Sequence, residues 1–296
     1  MSVSPSSIMT PATGRLLVTG SAVAWSTAGI FTKGVGADVW VVLFWRGLIA
    51  GVLMMAYLSW RGGDSHPRAW RRLGWPGWAA ATAGSTATVC FIAAFKNTDV
   101  ANVAIIYATA PFAAAAIAWF WMRERPAVAT LVAAVLCLIG VLIMVGGSAG
   151  SANLTGDMLA VGMTVLMALM MVIIRRYPDR PMTLAIGPLS CVQLVALGWA
   201  MSAPFDVSLM DLVLLTGFGL SHATATILLA EGVRRITASE AGLLGSLEMP
   251  LVPLWGWLFL AEIPRMMTFV GGAVVLATLI WYLGRDMRSR SERLQT

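Results

Sequence analysis

The chain has 296 residues, of which 58% are hydrophobic and only 11% charged, with a mean hydropathy of +0.80 and a formal net charge of +6. A soluble domain averages about 25% charged residues, so this chain lacks the polar surface to cover itself in water. No Cys/His spacing resembles a zinc site, and no G-x-x-x-x-G-K-[ST], H-E-x-x-H or G-x-S-x-G occurs; these patterns argue against a resident metal, ATP-driven pumping by this chain and an intramembrane hydrolase.

Residues 1–13, rich in Ser, Thr and Pro, read as a flexible N-terminal tail. Uncharged runs near the ~20 residues that a bilayer requires then predict ten spans. They lie at approximately 15–35, 38–60, 75–95, 100–122, 127–147, 156–175, 182–203, 210–231, 239–261 and 266–284. The first is too long and too poorly flanked for a cleaved signal peptide. It places Ser21, Trp25, Gly29 and Thr32 at helical spacing, a small polar face with one large aromatic. Trp25 lies deeper than an interfacial anchor, which suits a cavity wall.

Span two carries Arg46, an intramembrane charge that must snorkel or pair, and Gly47 and Gly51, a GxxxG that favours close helix packing. In span four, Asn102 lies near one mouth and Tyr107 stands four residues before Pro111, on the same face. Met163 and Met167, with Met170, form a stripe in span six that suits either soft packing or an adaptable pocket. Span eight carries His222 with Phe218 and Thr226 one turn to either side. This imidazole either orients a substrate carboxylate or makes an interhelical hydrogen bond.

Glu248 sits in span nine within GSLEMPLVP, where a charge costs about 2.5–3.5 kcal/mol or more at the bilayer centre. Pro250 and Pro253 follow, and each removes a backbone donor and clashes with a carbonyl four residues earlier. The helix is expected to open beside the carboxylate. That carboxylate is a ligand for a substrate amine, a protonatable switch, or a neutral group holding the kink. Glu124 and Glu262 end spans four and nine, where a carboxylate is unfavourable without a compensating Arg or backbone donor. They read as structural pins. Cys90, Cys137 and Cys191 all lie in apolar spans and read as small buried hydrophobes. Residues 285–296 read as a basic tail.

The distribution of charge accounts for the basic balance without nucleic acid. With the N-terminus cytoplasmic, sixteen cations fall inside: Arg15; Arg61, Arg68, Arg71 and Arg72; Arg123 and Arg125; Arg175, Arg176 and Arg180; Arg234 and Arg235; and Arg285, Arg288, Arg290 and Arg293. Lys33, Lys96 and Arg265 fall outside. The positive-inside rule then puts both termini in the cytoplasm.

FKNTDVANVAIIYATAPFAAAAIAWFWMRERP (95–126) recurs loosely as VRRITASEAGLLGSLEMPLVPLWGWLFLAEIP (233–264). Both copies begin with a basic residue and a threonine, carry a mid-span proline (Pro111, Pro250), and end on Glu and Pro (Glu124 and Pro126; Glu262 and Pro264). The segment GGSAGSANLTG (146–156) separates five spans from five, so residues 14–148 and 155–284 are expected to be two repeats. An odd number of spans per repeat inverts the second copy in the membrane. The predicted class is an all-α integral membrane protein of ten transmembrane helices in two inverted five-helix repeats. Pro111, Pro250 and Pro253 are its candidate hinges.

With these paired Pro-to-Glu elements, and Trp25-Ser26 with Lys33 in span one, the chain resembles the EamA-type exporters of the drug/metabolite transporter superfamily, and among them the YddG-type amino-acid exporters. The resemblance covers nearly the whole chain. It implies a ten-helix basket whose cavity is lined by spans 1, 3, 4, 6, 8 and 9. The second half has no tryptophan matching Trp25 and carries methionines there instead.

The expected function is a secondary transporter or facilitator, not an enzyme, in a bacterial-type inner membrane. It would export small metabolites such as amino acids by alternating access, with no cofactor and no nucleic-acid partner. The candidate cavity comprises Ser21, Trp25, Asn102, Tyr107, Met163, Met167, Phe218, His222 and Glu248. Arg46, Glu124 and Glu262 are structural charges, and a homodimer stays open. A multidrug or nucleotide-sugar carrier is the rival within transport, the latter disfavoured by the scarcity of mid-membrane cations. A membrane enzyme or a non-transporting scaffold is the rival of another class.

Overall fold

The computed structural model describes residues 11–61, 67–123, 127–147, 153–236, 241, 244–245 and 247–295. These form helices, and no strand occurs among them. In chain order they are α1 (Pro11–Ser26), α2 (Ala28–Gly34), α3 (Val39–Trp60), α4 (Pro67–Arg72), α5 (Gly74–Asn97), α6 (Val100–Tyr107), α7 (Ala110–Met122), α8 (Val128–Gly147) and α9 (Asn153–Arg176). There follow α10 (Met182–Met201), α11 (Leu209–Gly232), α12 (Glu248–Leu260) and α13 (Met266–Gln295). Among the described residues, seven stretches are long and apolar enough to cross a membrane: α3, α5, Val100–Met122, α8, α9, α10 and α11. Pro250–Leu260 and Met266–Tyr282 are shorter apolar helices.

Several boundaries differ from the ones read in the sequence. The first helix begins at Pro11, within the expected tail, because a proline at the first helical turn has no donor to waste and a preset φ. The last helix runs unbroken to Gln295, through the expected basic tail. Span one is interrupted at Thr27, whose hydroxyl donates to Ala24 O at 2.6 Å and competes with the helical ladder. Span four breaks at Ala108–Thr109, and Pro111 sits in the first turn of the segment that follows. In α10 a single π turn, Ala185–Leu189, absorbs Pro188. Ser190 N–H reaches back to Ala185 O, spanning the position where proline has no donor.

The chain forms two compact units, and each draws on two separated stretches of the sequence. Met1–Ala81 and Arg180–Ala261 make the first; Thr82–Asp179 and Glu262–Thr296 make the second.

In the first unit α1, α2 and α11 run antiparallel, held by polar ties along their length. Ser21 Oγ donates to Ala225 O at 2.8 Å, and Ser221 Oγ to Ala24 O at 2.9 Å. Phe31 stacks on Phe218 with centroids 5.7 Å apart, and Gly36 N–H donates to Asp211 Oδ1 at 2.8 Å. The Gly47/Gly51 pair on α3 lies against Cys191 and Leu194 of α10. A methyl group at Gly47 would come within 3.0 Å of Cys191 O, and one at Gly51 equally close to Cys191 Cβ. That is the close backbone approach for which small residues are used. Trp45 Nε1 donates to Pro204 O at 2.7 Å within a cluster of Phe44, Trp199 and Phe205. Trp255 of α12 donates to Ser26 Oγ at 2.8 Å.

In the second unit α8 packs along α13, with Gly140 facing Gly271. Thr130 and Tyr282 share a hydrogen bond of 3.1 Å, and Phe112 meets Tyr282 edge to face. A sealed polar network joins the α5–α6 connection, α6, α9 and α13. Thr98 Oγ1 donates to Asp157 Oδ1 at 2.6 Å, Asn102 Nδ2 donates to the same oxygen at 3.0 Å, and Thr268 Oγ1 donates to Asn102 Oδ1 at 2.6 Å. Asn102 and Asp157 are fully buried. Inside an apolar unit such groups survive only when they bond each other.

Candidate functional site

The most unusual chemistry lies in the first unit, at mid-height of α3 and α11. Arg46 is only 6% exposed, and Nη2 meets the His222 ring at Nδ1 (3.0 Å) and Nε2 (3.3 Å). Its guanidinium carbon stands 5.2 Å from the centre of the Phe218 ring, close enough for a cation–π contact. Phe218 is itself fixed by Phe31, the two rings lying within 10° of parallel. Arg46 Nε is buried and has no hydrogen-bond partner. The partners that the described residues supply to Arg46 are an imidazole and an aromatic face, with no carboxylate among them.

The other expected cavity residues divide between the two units. In the first, Ser21 is buried and its hydroxyl is committed to Ala225 O, while Trp25 is half-buried. Glu248 is half-buried at the first position of α12, not in mid-helix. Leu247 before it is a turn residue. A carboxylate at a helix N-terminus faces unpaired N–H groups and the positive end of the macrodipole, which offsets part of its burial cost. Pro250 stands in the first turn and Pro253 inside the helix. Ser246, whose carbonyl Pro250 was expected to displace, lies outside the described residues.

In the second unit Met163 is buried, and Met167 and Tyr107 are half-buried. Asn102, expected near a cavity mouth, is enclosed by Thr98, Asp157 and Thr268, so its amide serves packing. Glu262 accepts the Val100 N–H at 2.8 Å, so the backbone donor sought for this carboxylate is the open N-terminus of α6. Glu124, with Arg125 and Pro126, lies outside the described residues.

Two clusters were not singled out in the sequence. Glu231, in the last turn of α11, accepts from the Tyr57 hydroxyl. It also pairs with Arg61 (2.8 Å) and Arg235 (2.9 Å). Asp157 is the second, with Oδ2 buried and unpartnered. The only sequence signal for either was a lone carboxylate in a chain poor in them.

The expected EamA resemblance is matched by comparison with known families: the EamA-like transporter family model fits residues 12–146. A solved crystal structure is 18% identical over 95% of this chain and 99% of its own, with a TM-score of 0.62. At that identity the likeness speaks for the fold alone. A search of curated proteins finds no match. The apolar helices and the family match together make the chain a multi-pass membrane protein whose residues 12–146 match the EamA-like transporter family.

Proposed function

We propose that the protein is a secondary transporter of a bacterial-type inner membrane that exports small metabolites, amino acids among them, by alternating access. In this reading ten spans form two inverted repeats with both termini cytoplasmic. The observation that carries it is the break in the two repeat helices. α7 and α12 each start afresh beside a proline, after Thr109 and Leu247, and each is 13 residues long. Discontinuous helices at corresponding places in two halves are the means by which many transporters expose a site to one side and then the other.

The test is reconstitution of the full chain into liposomes, with efflux measured across a panel of amino acids and organic cations under two pH gradients. Saturable flux of at least one compound, absent from empty liposomes, is expected. A dependence of that flux on the imposed pH gradient would assign proton coupling, and independence would assign facilitated transport. No saturable flux of any compound would sink the reading. A reporter active only in the cytoplasm, fused after Thr296, should be active, and one inserted at 149–153 silent.

A further inference from the structure

We propose that Arg46 is the anion-binding group of the transport site and that the substrates carry a single carboxylate on an apolar or aromatic body. This rests on the transporter reading above and adds the substrate class to it. A guanidinium stays protonated at any physiological pH, so its charge remains wherever the chain folds around it. Buried charges in membrane spans are paired or face a ligand path. Arg46 is 6% exposed, and among the described residues it has no carboxylate partner.

The contacts that Arg46 does make hold it in place and leave its charge uncompensated. His222 accepts from Nη2 without bringing a negative charge. The Phe218 ring, 2% exposed and stacked on Phe31, lies 5.2 Å from the guanidinium carbon. With one terminal nitrogen tied and a ring wall beside it, the guanidinium has a fixed orientation. Nε, buried and unpartnered, is then one prong of a fork whose other prong is the second Nη2 hydrogen, the one not given to His222. That fork is the one a carboxylate bridges with both oxygens.

Charge count narrows the class further. Arg46 is the one cation bonded into this cluster among the described residues, so it balances one negative charge and not the two of a phosphate monoester. Phe31, half-buried and stacked on Phe218, supplies the apolar surface against which the remainder of such a molecule would lie. A nucleoside phosphate would find neither the charge nor the polar contacts it needs.

The experiment compares acids with their amides, which share a body and differ in charge. Butanoate and butanamide, 3-phenylpropanoate and 3-phenylpropanamide, and L-phenylalanine and its amide are titrated against the purified full chain. Binding is read as the shift in apparent Tm. At least one acid should bind about ten- to hundred-fold more tightly than its amide, the span expected for charge-assisted hydrogen bonds. Arg46→Gln should abolish that preference, and Arg46→Lys, which keeps the charge but loses the fork, should retain part of it. Preference for the acid in no pair, or full preference surviving in Arg46→Gln, overturns the proposal. Should Arg46→Gln fail to fold, the wild-type pairs and Arg46→Lys decide: an Arg46→Lys preference equal to that of the wild type also overturns it. Flux of uncharged or cationic compounds alongside equal binding of acid and amide would leave the transporter standing and remove the carboxylate site. Absence of all flux removes the transporter reading itself.

Discussion

Arg123 and Ala261 share a backbone conformation that no other described non-glycine residue adopts: φ 55° and ψ 23° at the first, φ 51° and ψ 29° at the second. Each follows a 13-residue helix whose second or third residue is a proline, and each precedes a glutamate. The repeat visible in the letters of the sequence thus recurs in the backbone, down to the residue that turns the chain out of the helix. Left-handed geometry places Cβ close to the next carbonyl oxygen, which is why glycine is usual at this place.

Relieving that contact should stabilise the protein. Ala261→Gly is expected to raise the apparent unfolding midpoint in detergent, by an amount corresponding to about 1 kcal/mol. Ala261→Val should lower it. A Gly variant less stable than the parent would mean that the alanine methyl packs favourably enough to outweigh the strain.

The helix break at Ala108–Thr109 is expected to depend on Pro111. Pro111→Ala restores a backbone donor and removes a ring clash, so Val100–Met122 should become straighter and transport should fall. Spin labels at Asn97→Cys and Trp121→Cys, both exposed positions, would report this as a longer and narrower distance distribution. An unchanged distribution with normal transport would show that the break is set by the surrounding packing.

Glu248 is expected to matter for function more than for stability. At the first position of α12 its charge interacts with the helix N-terminus, worth about 0.3–1 kcal/mol at such sites, so Glu248→Gln should fold and express normally. Transport by this variant should be reduced and should lose any pH dependence seen in the wild type between about pH 5 and 8. Wild-type transport throughout that interval would confine Glu248 to a local structural role.

The Tyr57–Arg61–Glu231–Arg235 cluster ties the end of α3 to the end of α11 and should be cooperative. Glu231→Ala leaves two arginines and a phenol without their shared acceptor. It is expected to cost about 1–3 kcal/mol, because the Glu231 and Arg235 side chains are only 16% and 17% exposed. Tyr57→Phe and Arg61→Ala should each cost less, and their double mutant should show coupling. Additive losses would mean that the contacts act independently.

Asp157 is expected to be a packing residue of the second unit. Asp157→Ala strands the Thr98 hydroxyl and the Asn102 amide, and should cost about 2–4 kcal/mol in stability. Asp157→Asn, which keeps the acceptor oxygen, should cost less. Loss of transport at full stability in Asp157→Asn would instead place this carboxylate in the transport cycle.

The membrane character and the neighbourhood of the helix breaks were legible in the letters of the chain. These follow from local properties: runs of apolar residues long enough for a bilayer, and prolines whose missing donor acts within one turn. GxxxG on α3 was legible for the same reason, since a helix carries its small residues on a face whatever lies opposite. Tertiary structure alone decided the pairings. Arg46 and His222 are separated by 176 residues, Tyr57 and Glu231 by 174, and Thr268 and Asn102 by 166. No helical period relates such positions. Asn102 shows the difference most directly: its place near a helix end suggested a mouth, yet Thr98, Asp157 and Thr268 converge on it and seal it. Glu248 shows it in reverse, for a residue expected in mid-helix becomes a helix start once the chain breaks at Leu247. Which polar groups meet depends on how helices dock, and docking is set by the whole packed interface, not by any one segment of sequence.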